Sequence, residues 1–236
     1  MRQVDACLSP ELIHLYDISD KTVVIVDILR ATSCMVAGIS TGVDHIIAFD
    51  NLEQCMAMKE KGYVTAGERG GQKVDGFDIG NSPFSYMEPG MNGRSVAVTT
   101  TNGTRAIELS KTAPEILIAA FLNLSATADH ILKGDRDVLI LCAAWKGRVN
   151  LEDSLFAGAL SLLLLENNFT TECDATLLVT QVYQKASANL GQALENSSHV
   201  NRLKKFGIQR DIEFCTRIDE FDSVVGIEDG RIKRLS

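Results

Sequence analysis

The chain has 236 residues, 45% hydrophobic and 23% charged, with 23 Lys and Arg against 31 Asp and Glu, a formal net charge of −8. Length and composition suit one α/β domain with a substantial core, and the acidic balance repels nucleic acid and anionic membranes, so a small molecule is the expected partner. No basic-then-apolar leader opens the sequence and the longest apolar run, over 160–165, is broken by Ser161 and too short to span a bilayer, which reads as a cytoplasmic protein.

Residues 4–8 read as a short strand closed by Ser9-Pro10, with a turn or helix over 11–15. Thr22-Val23-Val24-Ile25-Val26 is an unbroken β-branched run, the pattern of a strand buried on both faces. It breaks at Asp27 and Arg30, and a helix follows over 31–40, carrying Thr32 and Ser33 in its first turn. A strand over 45–49, Asn51 as N-cap and a helix over 52–61 continue the alternation. The strand over 63–66 runs into Gly67-Glu68-Arg69-Gly70-Gly71, and residues 73–83, without a period, read as a long loop. A strand over 95–99 empties into Thr100-Thr101-Asn102-Gly103-Thr104 before a helix over 105–109. Next come a strand over 115–119 with Asn123 and Ser125 beyond it, a helix over 126–132 and a strand over 137–141. That last strand leads into Cys142-Ala143-Ala144-Trp145-Lys146-Gly147-Arg148. A long apolar helix over 151–167, read as core rather than interface, carries Glu152 and Asp153 in its first turn. Residues 172–195 are mostly helical and 198–206 form a basic helix. Two further strands are expected over 211–215 and 223–231, the second ending at the Asp229-Gly230 turn signal.

This alternation predicts an α/β fold: a layered sheet, largely parallel, with helices on both faces, in a single domain over 1–236. Ligands of such sheets bind at the carboxyl ends of the strands. Asp27 with Arg30, Glu68 with Arg69, the 100–104 turn, Asn123 and the 142–153 segment would all collect there. Singly, each has a plainer reading: Asp27 as a helix cap paired with Arg30, Glu152 and Asp153 as complements of a helix dipole. Together, Asp27, Glu68, Glu152 and Asp153 are hard oxygen donors without convergent histidines, which suits Mg2+. Arg30, Arg69, Lys146 and the Thr-Asn-Gly turn would make the rim electropositive around that cation, as phosphoryl transfer requires.

Neither a P-loop nor a G-x-G-x-x-G turn is present, and Leu29 stands where a haloacid-dehalogenase-type phosphatase would place a second Asp. Cys142 and Arg148, with five residues between them, resemble the thiolate cradle of protein tyrosine phosphatases, which would make Cys142 a nucleophile and Arg148 an anion ligand. Leu141 there replaces the usual His and Val149 the usual hydroxyl residue. The six cysteines show no C-x-x-C pair, so free thiols are expected.

Taken together, Val26-Asp27-Ile28-Leu29-Arg30-Ala31-Thr32, Gly67-Glu68, Gly80-Asn81-Ser82-Pro83, Thr99 to Thr104, Cys142-Ala143 and Leu151-Glu152-Asp153 resemble the 2-phosphosulfolactate phosphatase family over nearly the whole chain. Ser198-His199, Asp211 to Cys215 and Phe221-Asp222 extend the likeness. The family often continues Cys-Ala-Gly where this chain has Ala144 and then a bulky Trp145. The resemblance implies a magnesium-dependent phosphomonoesterase that converts 2-phosphosulfolactate to sulfolactate and phosphate in coenzyme M synthesis. It implies Asp27, Glu68, Glu152 and Asp153 as metal or acid–base carboxylates, with Asp27, Glu68 and Asp153 on the metal. Arg30, Ser33, Asn81, Ser82, Thr100, Thr101, Asn102, Gly103 and Thr104 become anion contacts. Direct attack by metal-activated water is the expected route. The competing reading is a non-catalytic phosphate or carboxylate binder, and a homo-oligomer is left open.

Overall fold

The structure is a computed structural model and describes residues 1–235. Its strands are β1 (Arg2–Cys7), β2 (Thr22–Val26), β3 (His45–Ala48), β4 (Val64–Arg69), β5 (Gln72–Lys73), β6 (Ser95–Thr99), β7 (Glu115–Ala119), β8 (Val138–Cys142), β9 (Phe169–Thr170), β10 (Val225–Glu228) and β11 (Arg231–Arg234). The helices are α1 (Ala31–Ser40), α2 (Leu52–Ala57), α3 (Pro83–Tyr86), α4 (Gly103–Leu109), α5 (Leu124–Lys133), α6 (Leu151–Leu165), α7 (Asp174–Ala186), α8 (Leu190–Leu194), α9 (Ser198–Lys204) and α10 (Gln209–Cys215).

Hydrogen bonding joins the strands in the order β5-β4-β6-β3-β11-β10-β7-β2-β8-β1-β9. Two parallel blocks, β4-β6-β3 and β7-β2-β8-β1-β9, flank the β10-β11 hairpin that turns at Asp229-Gly230. All three ladders across the hairpin region are antiparallel, so the blocks run in opposite local senses. One residue pair makes each junction, Gly226 with Leu117 and Ile232 with Ile46. Twist accumulates from strand to strand; here the sheet curls across these narrow junctions, and the carboxyl ends of both blocks line one cavity.

Every residue of β2 and β8 is buried, so layers cover both faces of the sheet centre. The long apolar helix α6 is core: it packs against β1, β8, α5 and α7. Gly158 lets α7 approach, since a Cβ there would lie 2.1 Å from the Val179 carbonyl oxygen.

Two expectations are corrected. Residues 211–215, expected as a strand, are the end of α10. The alternation of Ile212 with Phe214 imitates a strand, but Asp211, Ile212, Phe214 and Cys215 are all buried, a helical face rather than every second position. The Phe214 ring packs at a tilt against Phe84 of α3, centres 5.2 Å apart, so this buried helical face docks on α3. The loop over 73–83 begins inside a strand, because β4 runs on through Glu68 and Arg69 and turns back antiparallel into β5. Among the described residues no helix is long and apolar enough to cross a membrane.

Candidate active site

A cavity of about 390 Å³ opens where β2, β4, β6 and β8 end. Asp27 enters it from β2. The Asp27 N–H donates to Thr32 Oγ1 (3.0 Å), its carbonyl accepts the Thr32 N–H (3.0 Å), and its Oδ1 accepts the Ala31 N–H (3.4 Å). The first turn of α1 therefore holds the aspartate in place. Burial pushes this carboxyl up to about 6, opposed by the charge of His199 and the Ala31 N–H and reinforced by the carboxylates of Glu68 and Glu152.

Glu68 faces the same space, with Oε1 accepting the Gly71 N–H at the β4–β5 turn (2.5 Å). Arg69 beside it donates to the Glu68 carbonyl (2.7 Å) and Thr99 Oγ1 (3.0 Å). Thr101 and Asn102 line the cavity, while Thr100 and Thr104 are buried and bond to each other around the start of α4. Gly103 sets how close α4 comes to Asp27. A Cβ at that position would lie 2.9 Å from Ala31 Cβ and 3.2 Å from Asp27 Oδ2. Gly103→Ala is expected to keep the fold and reduce turnover that depends on Asp27 about tenfold by pushing the aspartate off line. Circular dichroism and initial rates measure both, and an unchanged rate would show that the close approach is dispensable.

Arg30 reaches the cavity but is not an open anion receptor. Its Nη1 is ion-paired with Asp211 of α10 and its Nη2 donates to the Gly71 carbonyl (3.4 Å). Ser82 Oγ donates to the other Asp211 oxygen (3.1 Å), so Ser82 acts on the site through Asp211 and Arg30. Asn81 lines the cavity, with its Oδ1 enclosed and unpartnered.

Glu152 and Asp153 share one helical turn and do different work. Asp153 joins two loops: Oδ1 accepts the Ile28 N–H (2.9 Å), and Oδ2 accepts the Ala144 N–H (3.2 Å). Glu152 Oε1 pairs with His199 Nδ1 of α9 at 2.5 Å, and Glu152 Oε2 is buried without a partner. His199, Arg202 and Lys205 also line the cavity, with Arg202 against Trp145 and Lys146 beside the same ring.

Several expected residues are not brought to the cavity. Cys142 is fully buried and does not line it; burial, with the carboxylates of Asp153 and Glu152 nearby, pushes its thiol well up, the reverse of what a thiolate nucleophile needs. Arg148 is exposed and outside the cavity. Its backbone pairs both ways with Trp145 (2.8 and 3.0 Å), so residues 145–148 close on themselves instead of cradling an anion. Ser33 is buried and donates to the Ile28 carbonyl (2.8 Å). Asn123 is a buried cap accepting the Ala120 N–H (3.0 Å), and Ser125 bonds Asp219 on another surface. Conversely, His199, Arg202 and Asp211 were not assigned roles by spacing. They arrive from short C-terminal helices; a basic helix with one histidine was the local signal for the first two, and the family likeness covered His199 and Asp211 without giving either a role.

Among the described residues, no three His, Cys, Asp or Glu side chains are gathered closely enough to hold a metal ion unaided. Mg2+ takes one or two carboxylates and completes its octahedron with water and substrate phosphate oxygens. Asp27 and Glu68, both lining the cavity, fit that smaller requirement. Asp153, with both oxygens committed to main-chain N–H groups, does not.

Arg30, Arg69, Lys146, Arg202 and Lys205 surround these two carboxylates on a chain of net charge −8. The fold and the cavity thus define an α/β protein with a predominantly cationic cavity, holding two carboxylates, at its strand ends. A family model described as 2-phosphosulpholactate phosphatase matches residues 7–230. A Thermotoga maritima protein named "Probable 2-phosphosulfolactate phosphatase" is 38% identical over 210 residues, 89% of this chain and 90% of its own. A protein of the same name from Caldicellulosiruptor saccharolyticus is 37% identical over 215 residues, 88% of this chain and 89% of its own. The chain belongs to the 2-phosphosulfolactate phosphatase family.

Proposed function

We propose that the chain is a magnesium-dependent phosphatase that hydrolyses 2-phosphosulfolactate, or a closely related phosphorylated 2-hydroxy acid, to the hydroxy acid and phosphate. With 2-phosphosulfolactate as substrate this is a step of coenzyme M synthesis. The observation that carries the reading is Asp27, a buried carboxylate raised to about 6 beside Glu68 in an otherwise cationic cavity. Two carboxylates facing an anion site cost free energy that a divalent cation offsets. A non-catalytic anion receptor has no use for them.

Asp27 and Glu68 would hold the cation, whose chemistry is to neutralise phosphoryl oxygens and favour attack by water. Arg69, Thr101 and Asn102 bind and orient the phosphate on one wall. Glu152 Oε1 pairs with His199 Nδ1, which leaves Nε2 as the nitrogen that gives a proton to the departing alkoxide. Water adds to phosphorus as the P–O bond to the hydroxy acid breaks, and that oxygen leaves protonated. No protein nucleophile is required, consistent with the enclosure of Cys142.

Phosphate release from 2-phosphosulfolactate and 2-phospholactate, with Mg2+ and with EDTA, is the direct test. Turnover with Mg2+ that EDTA removes and Mg2+ restores is the expected result. Turnover indifferent to EDTA would remove the cation from the scheme, and no release from any phosphorylated hydroxy acid would leave the receptor reading.

A further inference from the structure

The basic side chains of the cavity differ in how much of their hydrogen bonding is already used. Arg30 is tied to Asp211 and the Gly71 carbonyl, and Arg69 to the Glu68 carbonyl and Thr99. Arg202 is different. Its guanidinium carbon lies 3.9 Å over the centre of the Trp145 ring, and its Nη2 is enclosed by protein without any acceptor. Lys146 Nζ lies 5.0 Å from the same ring centre, so two cations share one indole.

Stacking fixes the plane of a guanidinium and contributes about 1 kcal/mol, but it satisfies none of the N–H groups, which lie in the plane. Nη2 faces protein, where the Glu152 carboxylate acts on the guanidinium, while Arg202 also lines the cavity, and there its charge and remaining N–H groups can meet a carboxylate or a sulfonate. Arg202 approaches from α9, on a wall separate from the Arg69, Thr101 and Asn102 group assigned to phosphate.

We infer that the Trp145–Arg202 stack is a subsite for a second anionic group, a carboxylate or sulfonate borne by the substrate beside its phosphate, and that Arg202 sets specificity for such substrates. The inference rests on the phosphatase reading for the substrate's phosphate, but not for the anion that Arg202 grips. Lys146 adds charge at the same ring, and Trp145 fixes the orientation of the guanidinium plane and partly desolvates it.

Trp145 is the chain's one tryptophan, so its emission reports on the stack without a label. Wild type, Arg202→Leu and Arg202→Lys are titrated with lactate and separately with 2-hydroxyethanesulfonate, each in the presence of inorganic phosphate. A saturable emission change in wild type that Arg202→Leu abolishes supports the subsite, and the ligand producing it tells carboxylate from sulfonate. No change in wild type with either, or a change that survives in Arg202→Leu, overturns it. A kinetic arm compares 2-phospholactate and 2-(phosphonooxy)ethanesulfonate with isopropyl phosphate, which has no second anion. Arg202→Leu is expected to lose about 50-fold in kcat/KM on whichever anionic substrate wild type prefers and less than about threefold on isopropyl phosphate, the loss of one charge-assisted contact. Arg202→Lys, which keeps charge but not the planar stack on Trp145, should fall between and controls for folding. Equal losses on all three substrates would make Arg202 a general phosphate attractor and overturn the assignment. If wild type cleaves none of them, the phosphatase reading fails while the emission titration still decides the subsite.

Discussion

Asp27→Asn is expected to lower phosphate release by about three orders of magnitude or more while leaving the fold intact. The amide has the size of the carboxyl and can still accept the Ala31 N–H, so the first turn of α1 keeps its cap. What disappears is the charge, and with it the ability to hold a cation beside Glu68. Steady-state release from 2-phospholactate measures the loss, and a variant within about tenfold of wild type would remove Asp27 from the machinery.

The same substitution has a readout independent of catalysis. Burial moves the Asp27 carboxyl from 3.8 to about 6, so the folded protein holds this proton more tightly than the unfolded chain does. The stabilisation from that proton is fully present below pH 3.8 and is lost as pH rises through about 6. A displacement of this size corresponds to about 3 kcal/mol. In metal-free protein with EDTA, wild type should lose about that much stability relative to Asp27→Asn between about pH 4 and pH 7. Urea unfolding at the two pH values gives the comparison. A gap that does not change with pH would mean the charge is not enclosed as described. Adding Mg2+ at pH 7 should restore wild type and not the variant, because cation and proton compete for one carboxylate.

Asp153→Ala is expected to cost about 3–5 kcal/mol of stability, the largest effect on folding of any change at the site. It removes the acceptor for two main-chain donors, Ile28 N–H after β2 and Ala144 N–H after β8, both buried. Those loops carry Asp27 and Trp145, so variant that remains folded at low temperature should also be impaired in turnover. Asp153→Asn should lie only slightly better, because its amide nitrogen must face one of the two N–H groups. Thermal melts and urea midpoints decide this, and a loss below about 1 kcal/mol would show that the loops are held by other means.

Much of this architecture could be read along the chain because its signals are local. Val23 to Val26 cannot be anything but a strand enclosed on both faces, and polar groups that interrupt such runs must lie at strand ends. That reasoning put Asp27, Glu68, Thr101 and Asn102 at strand ends, and all four line the cavity. It also placed Cys142, Arg148, Asn123 and Ser33 beside them, since a strand end offers both a cavity side and a core side and only packing chooses. Cys142 points among Asp153 and the core, whereas Trp145, three residues on, reaches the cavity through a tight turn with Ala144, Lys146 and Gly147 at positive φ. Asp211 shows the opposite failure. An Ile212-x-Phe214 alternation suggested a strand, but the segment is a helix whose buried face packs Phe214 against Phe84 and delivers the aspartate to Arg30.

By itself the order of residues determined most of the strands and helices, that they form an α/β sheet, and that acidic and basic groups accumulate at strand ends, because each depends on periodicity and neighbours within a few positions. The tertiary structure alone decided that oppositely running blocks bring their ends to one cavity, and that Arg30 is committed while Arg202 is not. It also decided that adjacent Glu152 and Asp153 take separate duties, one on His199 and one on two loops. Partners in these pairings lie from nine to 181 positions apart, and at such distances no local pattern links them; only the closing of the curled sheet and the docking of the C-terminal helices does.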